Sequence, residues 1–252
     1  MNNFEPTHWA LVLGGSSGFG LSAAKKLAQH GMNVAIVHRD RRGAMKRIQP
    51  HFDEIEALGH GFLTLNADAL SDDGRAKVLE TLRERMGEGH GVRVLLHSIA
   101  FGNLKPIAPV AGDGGVSNAL DRLSDKLNVS RDALESAVDE LLEDGVHPLH
   151  TLTSSAFGDA LIEAEDMART IHSMGTSLLS YVQDLFKASL FCDDARVLGL
   201  TSEGNEVAWR GYAAVAAAKV ALESVSRAVA LEYGPYGIRS NIIQAGVGVT
   251  PA

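Results

Sequence analysis

The strongest constraint on the fold is an alternation that runs through the first hundred residues. WALVLG at 9–14 reads as a short buried strand, and LSAAKKLAQHG at 21–31 has helical apolar spacing ended by Gly31. VAIVH at 34–38 is a second strand, a polar helix covers 42–58, and FLTLNAD at 62–68 is a third strand. Residues 72–86 read as helix and VRVLLHSIA at 92–100 as a fourth strand. Strands alternating with helices predict an α/β fold: a doubly wound parallel sheet of Rossmann type, with helices on both faces.

From Phe101 to about Gly175 no strand pattern is found. PIAPVAGDGG at 106–115 is loop-like, and SNALDRLSDKL and SRDALESAVDELLEDG carry helical spacing, the second with a Ser130 cap and a Gly145 stop. One or two helices follow over 159–190, then a strand at 195–202, a long helix over 210–233 and a strand at 238–246. The expectation is one Rossmann-type domain over 1–252 with a helical insertion, 103–175, after the fourth strand.

A chain of 252 residues can bury a full α/β core. A net charge of −8 argues against general nucleic-acid binding, which needs a basic face. The single cysteine, Cys192, cannot form an internal disulfide and suits a reducing compartment. With no leader pattern at the N-terminus and no apolar run of about 18 residues, the expected location is cytoplasmic, with no membrane span.

LGGSSGFG at 13–20 sits between the first strand and its helix. Gly14 permits a tight exit from the strand, Gly18 lets a pyrophosphate approach the backbone, and Gly20 lets the helix pack close with its amides and dipole toward the anion. A purely structural turn is the plainer alternative. After the second strand come Arg39, Arg41 and Arg42, with no acid directly following His38. An acid there would accept from a ribose 2′-hydroxyl, whereas an arginine can pair with a 2′-phosphate, so NADP(H) is favoured over NAD(H). The alternative is a solvated helix start, with Asp40 among the arginines. Asp68, closing the third strand, can accept from an adenine amino group or simply cap a helix.

In YAAVAAAK, Tyr212 lies seven residues before Lys219. At about 100° per residue, seven steps return a helix to within about 20° of its start. Both side chains can therefore lean toward one ligand. A lysine charge near a phenol favours the phenolate, and a phenol so placed can donate to a developing oxyanion. The bland alternative is a surface lysine and a core tyrosine that merely share a face.

GGSSGFG after the first strand, Asp68 after the third, HSIA ending the fourth, and YAAVAAAK followed by GPYGIRSNIIQAG together resemble the short-chain dehydrogenase/reductase family. Most members place the tyrosine four residues before the lysine, where this chain has Val215. The seven-residue spacing and HSIA resemble the enoyl-acyl-carrier-protein reductase branch, which reduces a C=C bond next to a thioester carbonyl. The resemblance implies that Lys219 holds the nicotinamide ribose and that Tyr212 binds the thioester carbonyl oxygen. Ser98, Ile99 and Ala100 would line the cofactor, as would Ser16, Ser17, Phe19, Ala69 and Gly246. Val249 and Thr250 would meet its carboxamide, and Phe101 and Gly102 would begin the substrate wall. Ser202, seventeen residues before Lys219, occupies the position of the family's catalytic serine; it would bind the carbonyl or only cap the strand end. His97 reads as structural. No metal is implied. The implied partner is an enoyl thioester on acyl-carrier protein or coenzyme A, and the implied assembly a homo-oligomer, a tetramer by family. Family members continue beyond the sixth strand with a substrate-covering helix and a last strand.

A carbonyl reductase of the same family and a non-catalytic nucleotide-binding protein stay open as alternatives. The insertion reads equally as a lid, a docking element or decoration. A lid makes deletion of 110–145 change the KM and kcat for a thioester substrate in a still-folded protein; unchanged kinetics would leave it decorative.

Overall fold

The computed structural model describes residues 4–109, 116–143 and 160–246. Two compact units divide the chain: Met1–Asn103 with Glu163–Ala252, and Leu104–Ile162. The first holds a six-stranded parallel sheet in the order β3-β2-β1-β4-β5-β6, the doubly wound arrangement expected from the alternation. The strands are β1 (His8–Leu13), β2 (Asn33–His38), β3 (Phe62–Asn66), β4 (Gly91–His97), β5 (Phe191–Thr201) and β6 (Arg239–Gln244).

Successive side chains of a strand point to opposite faces, so a strand buried on both sides serves two cores. Ala10 and Val12 of β1 pack with Leu21 and Ala24 of α1 (Gly18–Gln29) and with Ile48 and Phe52 of α2 (Met45–Glu56). Leu11 and Leu13 face the other way. They join Val78 and Leu82 of α3 (Asp72–Met86) and the helices that close the far side of the sheet.

Those helices come from late in the chain and lie within the first unit. In the second unit, α4 (Val116–Leu127) and α5 (Arg131–Glu143) form as the spacing predicts; Ser130 Oγ caps α5 by accepting from Ala133 N at 3.2 Å. The Gly145 stop lies outside the described residues. Back in the first unit, α6 (Ala164–Ile171) runs through a π-helical turn, His172–Thr176, into α7 (Ser177–Lys187). Residues 163–175, expected as part of the insertion, thus belong to the sheet-bearing unit. Tyr181 and Leu185 of α7 and Leu222 and Val229 of α8 (Ala213–Tyr233) are buried against the sheet. Among the described residues, no helix is long and apolar enough to cross a membrane.

His97 ends β4 at 1% exposure, its Nε2 2.8 Å from Ser177 Oγ. Burial, helped by the charge of Lys219, lowers its pKa to about 3. The unfolded chain therefore takes up a proton that the folded chain refuses. This contribution to stability is intact above about pH 6.5 and is lost as pH falls toward 3, at about 1.4 kcal/mol per pH unit. His97→Asn should flatten the fall in urea midpoint between pH 6.5 and 4.5; an equally steep fall in the variant would assign the acid sensitivity elsewhere.

Candidate active site

The site begins where the chain leaves β1. Gly14 has φ +79°, and a Cβ there would stand 2.5 Å from the carbonyl oxygen of Ser98. Ser98 N in turn donates to Leu13 O at 2.9 Å, so the β1 exit and the β4 exit are held edge to edge. A Cβ on Gly20 would run into the Gly14 carbonyl, which is why α1 can start directly over the turn. Ser17, the N-cap of α1, makes no side-chain capping bond. The first-turn amides are thus left for a ligand, and a helix N-terminus favours an anion.

Two adjoining cavities open at this switch point, where β1 has neighbours β2 and β4 on either side. The first, about 310 Å³, brings Gly14, Ser16, Ser17, Gly18 and Phe19 opposite Ser202, Tyr212 and Lys219. Ser98, Ile99 and Ala100 form its floor, and Gly246 lies on its rim. The second, about 290 Å³, is lined by Gly14, Arg39, Asp68, Ala69, Ile99, Ala100 and Phe101. Nearly every residue singled out from the sequence therefore meets in one cleft. Gly20 and Gly102 line neither cavity: Gly20 is a packing residue, and a Cβ on Gly102 would strike Thr170, Met174 and Val215. Val249 and Thr250 lie outside the described residues.

Around the second cavity, two ambiguous acids take definite roles. Asp40 Oδ2 sits 3.0 Å from Nδ1 of the buried His38, so the carboxylate nearest the strand end is turned inward. Asp68 accepts from Arg39 Nη1 at 3.2 Å and from Leu70 N at 3.1 Å. It does not cap α3; Ser71 does, accepting from Gly74 N. The Arg39 guanidinium also lies 4.7 Å from the centre of the Phe101 ring.

Tyr212 departs from its expected place. The helix begins at Ala213, and Tyr212 is its N-cap, with φ −98° and ψ 1°. Its carbonyl still accepts from Ala216 N at 2.8 Å, so the expected shared face is kept from just outside the helix. The Tyr212 Oη is 3.1 Å from Ser202 Oγ. Its ring stands edge-on to Trp209, with centroids 5.2 Å apart and planes at 68°. Gly204 presses so close to both rings that a Cβ there would overlap the Tyr212 ring and crowd Trp209. Lys219 is 7% exposed and donates from Nζ to Leu200 O at 2.7 Å. Burial lowers its pKa to about 8, since no low-dielectric site holds an ammonium as well as water does.

Several lining residues carry no signal in the sequence. Met174 reaches the first cavity from the π-helical turn, a geometry that apolar spacing does not predict. Leu200 and Thr201 line it from the end of β5, and Ala245 follows β6. Thr201, next to Ser202, and Ala245, next to Gly246, could have been found by their neighbours.

The family model described as Enoyl-(Acyl carrier protein) reductase matches residues 126–252, and that described as short chain dehydrogenase matches 8–111. An "Enoyl-[acyl-carrier-protein] reductase [NADH]" of Xanthomonas oryzae pv. oryzae (strain MAFF 311018) is 25% identical over 255 residues, covering 96% of this chain and 58% of that protein. One of the same name from Chromohalobacter salexigens is also 25% identical, with the same coverage of 96% and 58%. The chain thus spans less than two thirds of the length of these curated relatives. Among solved structures, a short chain dehydrogenase from Burkholderia cenocepacia J2315 in complex with NADP has a similar fold. Its TM-score is 0.66 at 21% identity, over 97% of this chain and 76% of that one. With both halves of its cleft matched by these family models, the chain belongs to the short-chain dehydrogenase/reductase family.

Proposed function

We propose that the protein is an NADPH-dependent reductase of the C=C bond of a 2-enoyl thioester, carried on acyl-carrier protein or coenzyme A. The observation that carries this reading is that Tyr212 shares one cavity with Lys219 and the glycine-rich turn, while Val215, four residues before the lysine, is buried against Met174 and Ala218 and does not line it. The uncapped α1 N-terminus and the glycine cradle beside it fit a dinucleotide pyrophosphate. NADPH, when bound, supplies the hydride. Tyr212 Oη then donates to the thioester carbonyl oxygen and stabilises the enolate that develops there, with Ser202 orienting the phenol. Lys219 would hold the ribose hydroxyls of the bound dinucleotide.

The inward turn of Asp40 toward His38 supports NADPH, because Asp40 does not line the second cavity, whereas the Arg39 guanidinium, paired with Asp68, does. The curated relatives carry NADH in their names, which supports the second cofactor reading. Carbonyl reduction is the second reading of the reaction, favoured by Ser202 standing beside Tyr212 as a second hydroxyl. Cytoplasmic location and homo-oligomeric assembly belong to the same proposal.

Oxidation of NADPH followed with a crotonyl and then an acetoacetyl thioester distinguishes these readings. Turnover is expected with the first substrate and should fall about 10²-fold or more in Tyr212→Phe. Activity only on the ketone, or with neither, defeats the proposal. Arg39→Ala should raise the KM for NADPH and leave that for NADH nearly unchanged.

A further inference from the structure

From the geometry we infer that Glu223 is a positioning residue for the Ser202–Tyr212 pair, an inference that rests on the proposed role of Tyr212. Glu223 lies on α8 one turn beyond Lys219 and does not line the cavity of about 310 Å³ that holds Tyr212. A glutamate four residues from a lysine on a helix commonly pairs with it. Here the carboxylate turns to the chain on either side of Ser202. Its Oε1 accepts from Thr201 Oγ1 at 2.6 Å and from Asn205 Nδ2 at 2.5 Å.

Those two donors bracket the seat of the tyrosine. Thr201 ends β5, and Asn205 ends the short 3-10 turn Glu203–Asn205. Between them lie Ser202, whose hydroxyl meets Tyr212 Oη, and Gly204, whose backbone presses on the Tyr212 ring. One carboxylate oxygen thus closes the loop that touches the phenol at its hydroxyl and at its ring. Thr201 O also accepts from Ala245 N at 3.2 Å, which ties the rim beyond β6 to the same point. Helix α8 therefore grips the end of β5 at two consecutive turns: Lys219 holds the Leu200 carbonyl, and Glu223 holds the Thr201 hydroxyl.

Charged acceptors make short, strong hydrogen bonds, and these are only partly exposed, so the clamp is stiff. Its purpose follows from what it holds. A phenol that must meet a carbonyl oxygen loses rate steeply when misplaced, by about 10²-fold for 1 Å. Ser202 supplies the hydroxyl contact, but its own backbone is set by Glu223.

The test compares Glu223→Leu with Glu223→Gln, whose amide oxygen can accept from both donors. With the crotonyl thioester, Glu223→Leu should lower kcat about 10²-fold, with the KM for NADPH little changed. Glu223→Gln should recover most of the turnover. Ser202→Ala should add little to the loss in Glu223→Leu, because both act on one phenol. Full additivity, or a Gln variant as poor as the Leu variant, would overturn the inference. Crystal structures of the two variants decide it without turnover. The Ser202 Oγ–Tyr212 Oη contact should persist in Gln and open in Leu; a contact kept in Leu would overturn the inference. A wild-type protein inactive on both thioesters would sink the proposed reaction, and the same structures would still judge Glu223. Should Glu223→Leu not fold, Thr201→Val and Asn205→Ala each remove one donor and should each loosen the pair; an unmoved pair in both would overturn it.

Discussion

Everything in the cleft depends on one close approach, that of the Gly14 α-carbon to the Ser98 carbonyl. In a doubly wound sheet the first strand lies in the middle, with its neighbours leaving toward opposite faces. The chain must turn sharply at that point while a second strand ends beside it. A side chain at Gly14 would have to share space with the β4 backbone. Without one, the turn can lie flat against β4, α1 can start above it, and Ile99 and Ala100 line both cavities.

The opposite wall is organised by electrostatics. Lys219 is a buried ammonium whose hydrogen bond goes to a neutral carbonyl, and His97 beneath it stays uncharged. Positive charge is therefore concentrated on a single group in a region of low dielectric, where it acts further than it would in water. The phenol, packed against both Trp209 and Gly204, has little freedom to turn away from it. Under the proposed function, that cation would serve a bound dinucleotide and a developing oxyanion.

The sheet and its helices were legible because strand length and helical spacing are local and strongly patterned. The turn residues Gly14 and Gly20 were legible because their chemistry is tied to a position after a strand. The tyrosine and lysine could be paired from helix arithmetic, even though Tyr212 proves to be a cap. What stayed hidden depends on contacts between distant segments. The role of Asp40 depends on its carboxylate meeting His38 Nδ1, and that of Asp68 on its place beside Arg39. Glu223 looks like an ordinary helix-surface acid in the sequence, and its partners lie eighteen to twenty-two residues away. Met174 was missed because a π-helical turn follows no α-helical period.

That turn has a consequence for how such a chain can vary. Ser177 N donates to His172 O, five residues back, so the turn houses one residue more than an α-helical turn would. The surplus is absorbed on the spot: Thr170 before it and Leu178, Tyr181 and Leu185 after it all remain buried. Loss of a single residue here would restore a regular ladder without rotating either flank, while withdrawing the bulge that carries Met174 to the cavity and Gly175 against Ala218 O. The shape of the cleft can thus be edited by length, one residue at a time, within a helix whose core-facing residues are left alone.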